Sequence, residues 1–138
     1  MKTRRPARFF TSLAIFAALF AAGGCEPSIR TQGASAIRAS YSYPSLETDL
    51  PDASRAPAVI AAAESTMRAR GYSITKSVAT EEGGTVTGLP PRSSDYPNVE
   101  IIATRTTTGT HVKISITPFG DEELSRSLLD GILTRLGL

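Results

Sequence analysis

Apolar residues form one continuous run near the N-terminus of this 138-residue chain and periodic segments after it. The run covers residues 9–22, is interrupted only by Thr11 and Ser12, and follows four basic residues. A helix needs about 20 apolar residues to span a bilayer, and Gly23-Gly24 ends this run sooner. A basic head, a short apolar stretch and small residues after it are typical of an export signal.

Two later segments have helical periodicity. Val59, Ile60, Ala63 and Met67 recur at helical spacing, which predicts a helix over 54–70. Asp52 or Ser54 is the expected cap, Pro57 suits the first turn, and Gly71 is placed to end the helix.

The second helix is predicted after Asp121, which can cap it. Leu124, Leu128, Ile132 and Leu136 repeat every four residues and indicate a buried stripe. Gly131 lies within this helix and is expected to allow close approach to a neighbouring element.

Between the helices the pattern alternates, as in strands. Val112, Ile114 and Ile116 point one way and the polar residues between them the other, which indicates an antiparallel sheet covered on one side. Strands are predicted near 72–78, 85–89, 99–105 and 111–117, with a weaker edge strand at 36–43. The segments 45–53 and 90–97 contain proline and polar residues and are predicted to be loops.

These elements predict an α+β fold in which two helices pack on one face of a roughly four-stranded antiparallel sheet, in the order α-β-β-β-β-α. The predicted core comprises Val59, Ile60, Ala63, Met67, Ile74, Val86, Val99, Ile101, Val112, Ile114, Ile116, Leu124, Leu128 and Ile132. The predicted outer face comprises Thr87, Glu100, Ile102, Thr104, Lys113 and Ser115.

The end of the export signal resembles the lipobox of bacterial lipoproteins. The match covers Ala22, Gly23, Gly24 and Cys25, the only cysteine, although leucine is usual where Ala22 stands. This resemblance implies a diacylglycerol thioether on Cys25 and cleavage before it. The predicted organisation is a signal peptide at 1–24, a lipidated cysteine and flexible tether at 25–35, and one domain at 36–138. An uncleaved anchor, or a plain secreted protein, is the alternative.

Removing the signal changes the charge of the chain. Residues 1–24 hold 4 of the 15 basic residues and none of the 13 acidic ones, so 11 basic and 13 acidic residues remain. The resulting net charge of −2 gives no reason to expect nucleic-acid binding.

The C-terminal part resembles a family of small bacterial lipoproteins, the domain of unknown function thirty-five sixty-eight. The resemblance covers about residues 36–138 and is carried by the turn Phe119, Gly120, Asp121 and Glu122, with Ser125, Leu128, Leu129 and Ile132 in the helix after it. The junction at 68–75 also fits, whereas the loop at 90–97 departs from the family pattern. The resemblance implies an envelope lipoprotein with an α+β domain and implies no activity.

Candidate chemistry is sparse. His111, the only histidine, has no evident partner and is predicted to be an ordinary surface residue. The run Asp121-Glu122-Glu123 suits the first turn of a helix better than a cation site. Phe119 is expected to close the end of the sheet beneath the last helix. We therefore expect no catalytic residues, no metal and no cofactor.

These features predict a non-enzymatic envelope lipoprotein that contacts the membrane through the lipid on Cys25 and acts either through contacts with an envelope protein partner or as a structural accessory. Glu26 after the cysteine favours the outer membrane facing the periplasm over the inner membrane. The alternative is a small-ligand-binding or hydrolytic periplasmic domain that uses the open sheet face and the 90–97 loop, with Asp95, Tyr96, Glu100 and His111 around a pocket.

Overall fold

The computed structural model of the protein describes residues 26–91 and 98–138. In these ranges the chain forms a sheet of seven strands and two helices. The strands are β1 (Ser28–Gln32), β2 (Ile37–Ser42), β3 (Ser45–Pro51), β4 (Ser73–Ala79), β5 (Gly83–Leu89), β6 (Asn98–Arg105) and β7 (Gly109–Thr117). The helices are α1 (Ala56–Ala69) and α2 (Glu122–Leu136).

The sheet is larger than predicted. Its order is β1-β2-β3-β7-β6-β5-β4, and every neighbouring pair is antiparallel. The α+β class agrees with the prediction, but the prediction of four strands in the order α-β-β-β-β-α is wrong. Three strands precede α1, and they extend the sheet beyond β7.

The segment predicted as a loop at 45–53 contains β3, a central strand. Leu46 and Leu50 are buried, and Glu47 and Asp49 point to the other face. Thr48 sits between the two leucines on the inner face and is also buried. Its hydroxyl donates a hydrogen bond to the Arg38 carbonyl at 2.8 Å. Because a polar residue occupies this buried position, the sequence of β3 lacks the regular alternation of apolar and polar residues that predicts a strand.

The segment predicted as a flexible tether contains β1, which pairs with β2 from Ser28↔Tyr41 to Gln32↔Ile37. Its alternate residues Ser28, Arg30 and Gln32 are polar, although they share a face with buried Ala39 of β2. They face polar groups of α2, and so no apolar stripe marks this strand.

Both helices pack on one face of the sheet, as predicted. Pro57 lies in the first turn of α1 and Gly71 follows the helix with φ of 82°, both as expected. Neither Asp52 nor Ser54 caps α1: its N-cap is Arg55, which makes no side-chain capping bond. In α2 the predicted cap is confirmed, since the backbone N–H of Leu124 donates to Asp121 Oδ1 at 2.9 Å.

The predicted core residues lie between the helices and the sheet. All of them are buried except Ile74 and Leu124, which are partly buried and pack against the core. Gly131 allows the two helices to approach, because a Cβ atom there would lie 2.6 Å from Thr66 Cγ2. Within the described ranges no helix is long and apolar enough to cross a bilayer.

The sheet has two distinct ends. At the first, which we call the proximal end, β1 begins, Tyr43-Pro44 joins β2 to β3, and residues 118–120 join β7 to α2. At the opposite, distal end lie the β6–β7 turn, the N-terminus of α1 and the C-terminus, where the Ala34 N–H donates to the Leu138 carbonyl.

Candidate functional site

The predicted lipid-attachment residues Ala22, Gly23, Gly24 and Cys25 lie outside the described residues. The described part of the chain begins directly after the cysteine. Glu26 and Pro27 are exposed, and β1 begins at Ser28, three residues after Cys25. Any group attached to Cys25 is therefore connected to the sheet through only two intervening residues.

The first residue of β1 is bound to α2 by a buried cation. Arg126 is only 5% exposed, and its guanidinium donates to Glu122 Oε1 at 2.8 Å and to the Ser28 carbonyl at 2.9 Å. The Ser28 hydroxyl donates to the same Glu122 oxygen at 2.7 Å. Buried charges are stable only when paired and hydrogen-bonded, and this arrangement meets both conditions.

The far end of β1 is bound to the same helix. Gln32 Nε2 donates to the Arg126 carbonyl at 2.8 Å and to Asp130 Oδ1 at 2.9 Å.

Sequence reasoning missed the role of Arg126. Its one signal was the spacing of four residues from Glu122, which allows an ion pair along a helix.

Hydrogen bonding alters the acidity of Glu122. The Ser28 hydroxyl, and then the Arg126 guanidinium, lower the pKa of its carboxyl group below the ordinary value of 4.5. The same effect occurs at Glu64 of α1, where the Ser77 hydroxyl and then Arg68 lower the pKa. Each carboxylate joins a helix to an edge strand of the sheet.

The turn from Phe119 to Glu122 has a structural role in three of its four residues. Gly120 adopts φ of 64°, a conformation that favours glycine. Asp121 caps α2, and Glu122 binds Ser28. Glu123, the next acid, lies 3.6 Å from the Arg30 guanidinium. Phe119 differs from the prediction: it is 77% exposed and does not close the sheet beneath α2.

The face of the sheet away from the helices carries a row of side chains across all seven strands. The paired residues of this row, which we call the central row, are Val78, Thr85, Ile102, Lys113, Glu47, Ser40 and Ile29. Lys113 Nζ lies 3.5 Å from Glu47 Oε1. The predicted outer residues Thr87, Glu100, Ile102, Thr104, Lys113 and Ser115 all fall on this face.

His111 has partners, contrary to the prediction. Its Nδ1 lies 2.8 Å from Asp49 Oδ1, and its Nε2 lies 3.9 Å from Glu47 Oε2. Both acids belong to β3, a segment whose sequence predicts a loop, so the pattern gives no sign that they lie beside His111. No group of three His, Cys, Asp or Glu residues suited to a metal ion occurs in the described ranges.

The pocket predicted around His111 and Glu100 is not assembled by the described residues. Glu100 pairs with Ser115, four residues along β7 from His111, which separates their backbones by about 14 Å. Asp95 and Tyr96 lie outside the described ranges.

A cleft of about 530 Å³ lies instead at the distal end, between the start of α1 and the β6–β7 turn. Its lining is polar and carries charges of both signs. The lining residues are Asp52, Ala53, Arg55, Ala56, Glu81, Arg105, Gly109 and Thr110. Thr110 fixes one wall, since its hydroxyl donates to the Ser54 carbonyl at 2.6 Å.

Comparison with known proteins finds no family model that matches the chain and no curated protein with significant similarity. The resemblance to the domain of unknown function thirty-five sixty-eight therefore stays a prediction from the quoted residues.

Proposed function

We propose that this protein is a lipid-anchored component of the bacterial envelope whose α+β domain is non-enzymatic and acts through contacts with another envelope protein. The observation that carries the proposal is the sequence at residues 1–25, in which a basic head, a short apolar run and two glycines precede the only cysteine. A domain that begins three residues later agrees with cleavage before that cysteine.

The structure offers a surface suited to protein contacts. Helices cover one face of the sheet, and the other face presents the central row with Ile102 between Thr85 and Lys113. Val78 and Ile29, at the two ends of this row, are each about half exposed. A non-obligate protein interface is about as apolar as the rest of a protein surface, so the mixed apolar and polar composition of this face is compatible with such a contact.

Anchoring is tested with Cys25→Ser and membrane fractionation of cells. The wild-type protein is expected in the membrane fraction at the mature length, carrying an acylated N-terminus by mass spectrometry. The variant is expected to lose the acyl mass and remain unprocessed. A variant of full precursor length that stays in the membrane, together with a wild-type protein of equal length, would show an uncleaved anchor instead. Separation of the two membranes by density tests the preference for the outer one.

The contact role is tested by cross-linking in intact cells. A photoreactive residue at position 102 is expected to give one defined adduct, and the same residue at Thr107 in the exposed β6–β7 turn serves as the control. Equal yields and identical adduct patterns at the two positions would exclude the central row as the contact surface.

The distal cleft supports a second candidate, binding of a small polar ligand. Its volume is in the range of ligand sites, and Arg55 and Arg105 line it with Asp52 and Glu81. A fragment screen by NMR is expected to shift the amides of Gly109 and Thr110 if the cleft binds ligands. Shifts confined to other regions would remove this candidate.

A further inference from the structure

The two loops at the proximal end are packed against each other. A Cβ atom on Gly120 would lie 3.0 Å from Pro44 Cα and 2.6 Å from the Tyr41 hydroxyl oxygen. Tyr43 precedes Pro44, and Phe119 precedes Gly120. Two aromatic residues therefore stand in neighbouring loops whose backbones are in contact.

Both aromatic side chains are exposed. Phe119 is 77% exposed and Tyr43 is 64% exposed, and Leu89 at the same end of β5 is 43% exposed. The other large apolar side chains exposed in the described ranges, Ile29 and Val78, lie on the open face in the central row. Leu89 continues the open face at its proximal edge, so among the described residues the large exposed apolar side chains away from that face are Phe119 and Tyr43 in the two proximal loops.

The predicted lipid anchor is connected to the domain near this same end of the sheet. Ser28 pairs with Tyr41, two residues before Tyr43, so β1 begins beside the aromatic loops. Three residues of extended chain reach about 10 Å, which is the maximum separation of Cys25 from Ser28. Since Arg126 and Glu122 bind Ser28 to α2, the start of β1 moves with the domain.

The charges at this end argue against binding through anionic lipid. Asp121, Glu122 and Glu123 are acidic, and Arg126 is buried and paired with Glu122. Arg30 is near Glu123. At the start of α2, beside the aromatic loops, anionic headgroups would therefore meet more negative than positive charge, whereas Arg70 and Lys76 lie on the β4 side of the sheet. The aromatic loops are the features suited to a bilayer, since a tyrosine ring favours the level of the headgroups and phenylalanine inserts at the boundary of headgroups and acyl chains.

We propose that the proximal end is a membrane-contacting surface, with Phe119 and Tyr43 entering the headgroup region of the bilayer that holds the lipid on Cys25. This inference rests on the proposed anchoring. Two aromatic residues alone are a weak membrane ligand, but the anchor makes their contact intramolecular and raises their effective concentration at the surface. The open face then stands roughly perpendicular to the membrane plane, accessible to a partner from the side.

The chain contains no tryptophan, so one introduced tryptophan is a unique fluorescent probe. The experiment uses the mature lipidated protein in vesicles of phosphatidylcholine, with Phe119→Trp as the probe and Thr107→Trp in the distal turn as its matched control. Nine residues of β7 place the control about 30 Å further along the sheet. Vesicle flotation measures anchoring, and quenching by headgroup-level spin-labelled lipid or by aqueous iodide measures where each tryptophan lies.

We expect both variants to float with the vesicles. The tryptophan at 119 should be quenched at least twofold more strongly by labelled lipid than the one at 107, and it should be shielded from iodide. Raising the salt concentration should leave this difference unchanged, because the contact is apolar. Addition of Tyr43→Ser to Phe119→Trp should weaken the lipid quenching without changing flotation.

The alternative outcomes are separable. Variants that float but show equal quenching at the two positions would overturn the orientation while leaving the anchoring intact. A tryptophan at 119 that remains open to iodide on pure lipid and is shielded only in native membranes would overturn the lipid contact and show that a protein covers these loops. Failure of both variants to float would refute the anchoring and this inference with it.

Discussion

Arg126 is the residue on which the N-terminal strand depends. It is buried, and its guanidinium joins Glu122 of α2 to the carbonyl of Ser28. Removal of one member of such a network leaves the other groups without a partner in a site partly closed to water. The resulting loss in free energy of unfolding is larger than the loss from breaking an exposed ion pair.

We predict that Arg126→Ala lowers the free energy of unfolding by about 2–3 kcal/mol, because hydrogen bonds to a charged group are lost. Urea denaturation measures the change. Arg135→Ala is the matched control on the exposed side of the same helix, with an expected effect within about 0.5 kcal/mol. Equal effects of the two substitutions would show that the network does not stabilise β1.

The network also makes stability depend on pH. The pKa of Glu122 and that of Glu64 are lower in the folded protein than their ordinary value of 4.5. A carboxyl group with a depressed folded pKa contributes stability that is complete above the unfolded pKa and is lost as the pH falls through the folded one. Stability should therefore decline on acidification below about pH 4.5.

We predict that Glu122→Gln reduces the slope of that decline and lowers stability at neutral pH. Glu82→Gln, at an exposed position in the β4–β5 turn, is the control. The measurement is urea denaturation at a series of pH values from 7 to about 3. If the free energy of unfolding falls with pH as steeply in the Glu122 variant as in the wild type, groups other than Glu122 cause the acid sensitivity.

At the scale of elements, the packing of α1 on α2 depends on a missing side chain. The predicted close approach at Gly131 is confirmed, and Thr66 occupies the space. Thr66 is buried, and its hydroxyl donates to the Ala62 carbonyl at 2.8 Å, which fixes its methyl group toward Gly131.

We predict that Gly131→Ala destabilises the protein by about 1 kcal/mol, because overpacking costs about 1–3 kcal/mol and the gain in helix propensity returns about 1 kcal/mol. Thr66→Ser removes the methyl group that the new Cβ would meet. The double variant should therefore be more stable than the sum of the two single changes by about 1 kcal/mol in a double-mutant cycle. Additive effects would show that the helices separate freely at this contact.

Elements with an apolar stripe could be predicted from the sequence, and those with a polar inner face could not. The helices and the β6–β7 hairpin follow from residues such as Val112, Ile114 and Leu128, whose spacing alone marks a buried side. β1 has no such mark, because Arg30 and Gln32 face polar groups of α2. Pairing of this kind depends on residues about a hundred positions away and cannot be read from a local window.

The candidate site likewise contains some features that the sequence predicts and others that it does not. Acidic capping by Asp121 and the φ of Gly120 were predictable from local rules of helix starts and turns. The exposure of Phe119 was not, because an aromatic residue beside a core strand is more often buried. The partners of His111 likewise depend on the register of β3 against β7.

At the scale of the whole molecule, the short connection between Cys25 and β1 is expected to control orientation. We predict that ten Gly/Ser residues inserted after Cys25 leave the fold and the flotation unchanged, because they only lengthen the path to Ser28. Such a linker has a root-mean-square span of about 15–20 Å, which frees the domain to turn.

The preferential lipid quenching at position 119 should therefore fall toward that at position 107. An inserted rigid Pro-rich segment of equal residue number is the comparison, since it should lift the domain further from the surface. If neither insertion changes the quenching, the aromatic loops hold the orientation without help from the connection.

The strand order also determines when the fold can form. β3 pairs with β7 across 58 to 70 residues, from Pro51↔Gly109 to Ser45↔Ser115, and α2, the last element, holds β1 in place. Contacts between such distant parts of a chain form late and slowly. A chain that emerges from its N-terminus cannot complete this sheet until nearly all of it is available, and the export that we propose would require the precursor to remain unfolded during this time. Late closure of the β3–β7 pair is thus a kinetic property of the topology that suits an exported protein.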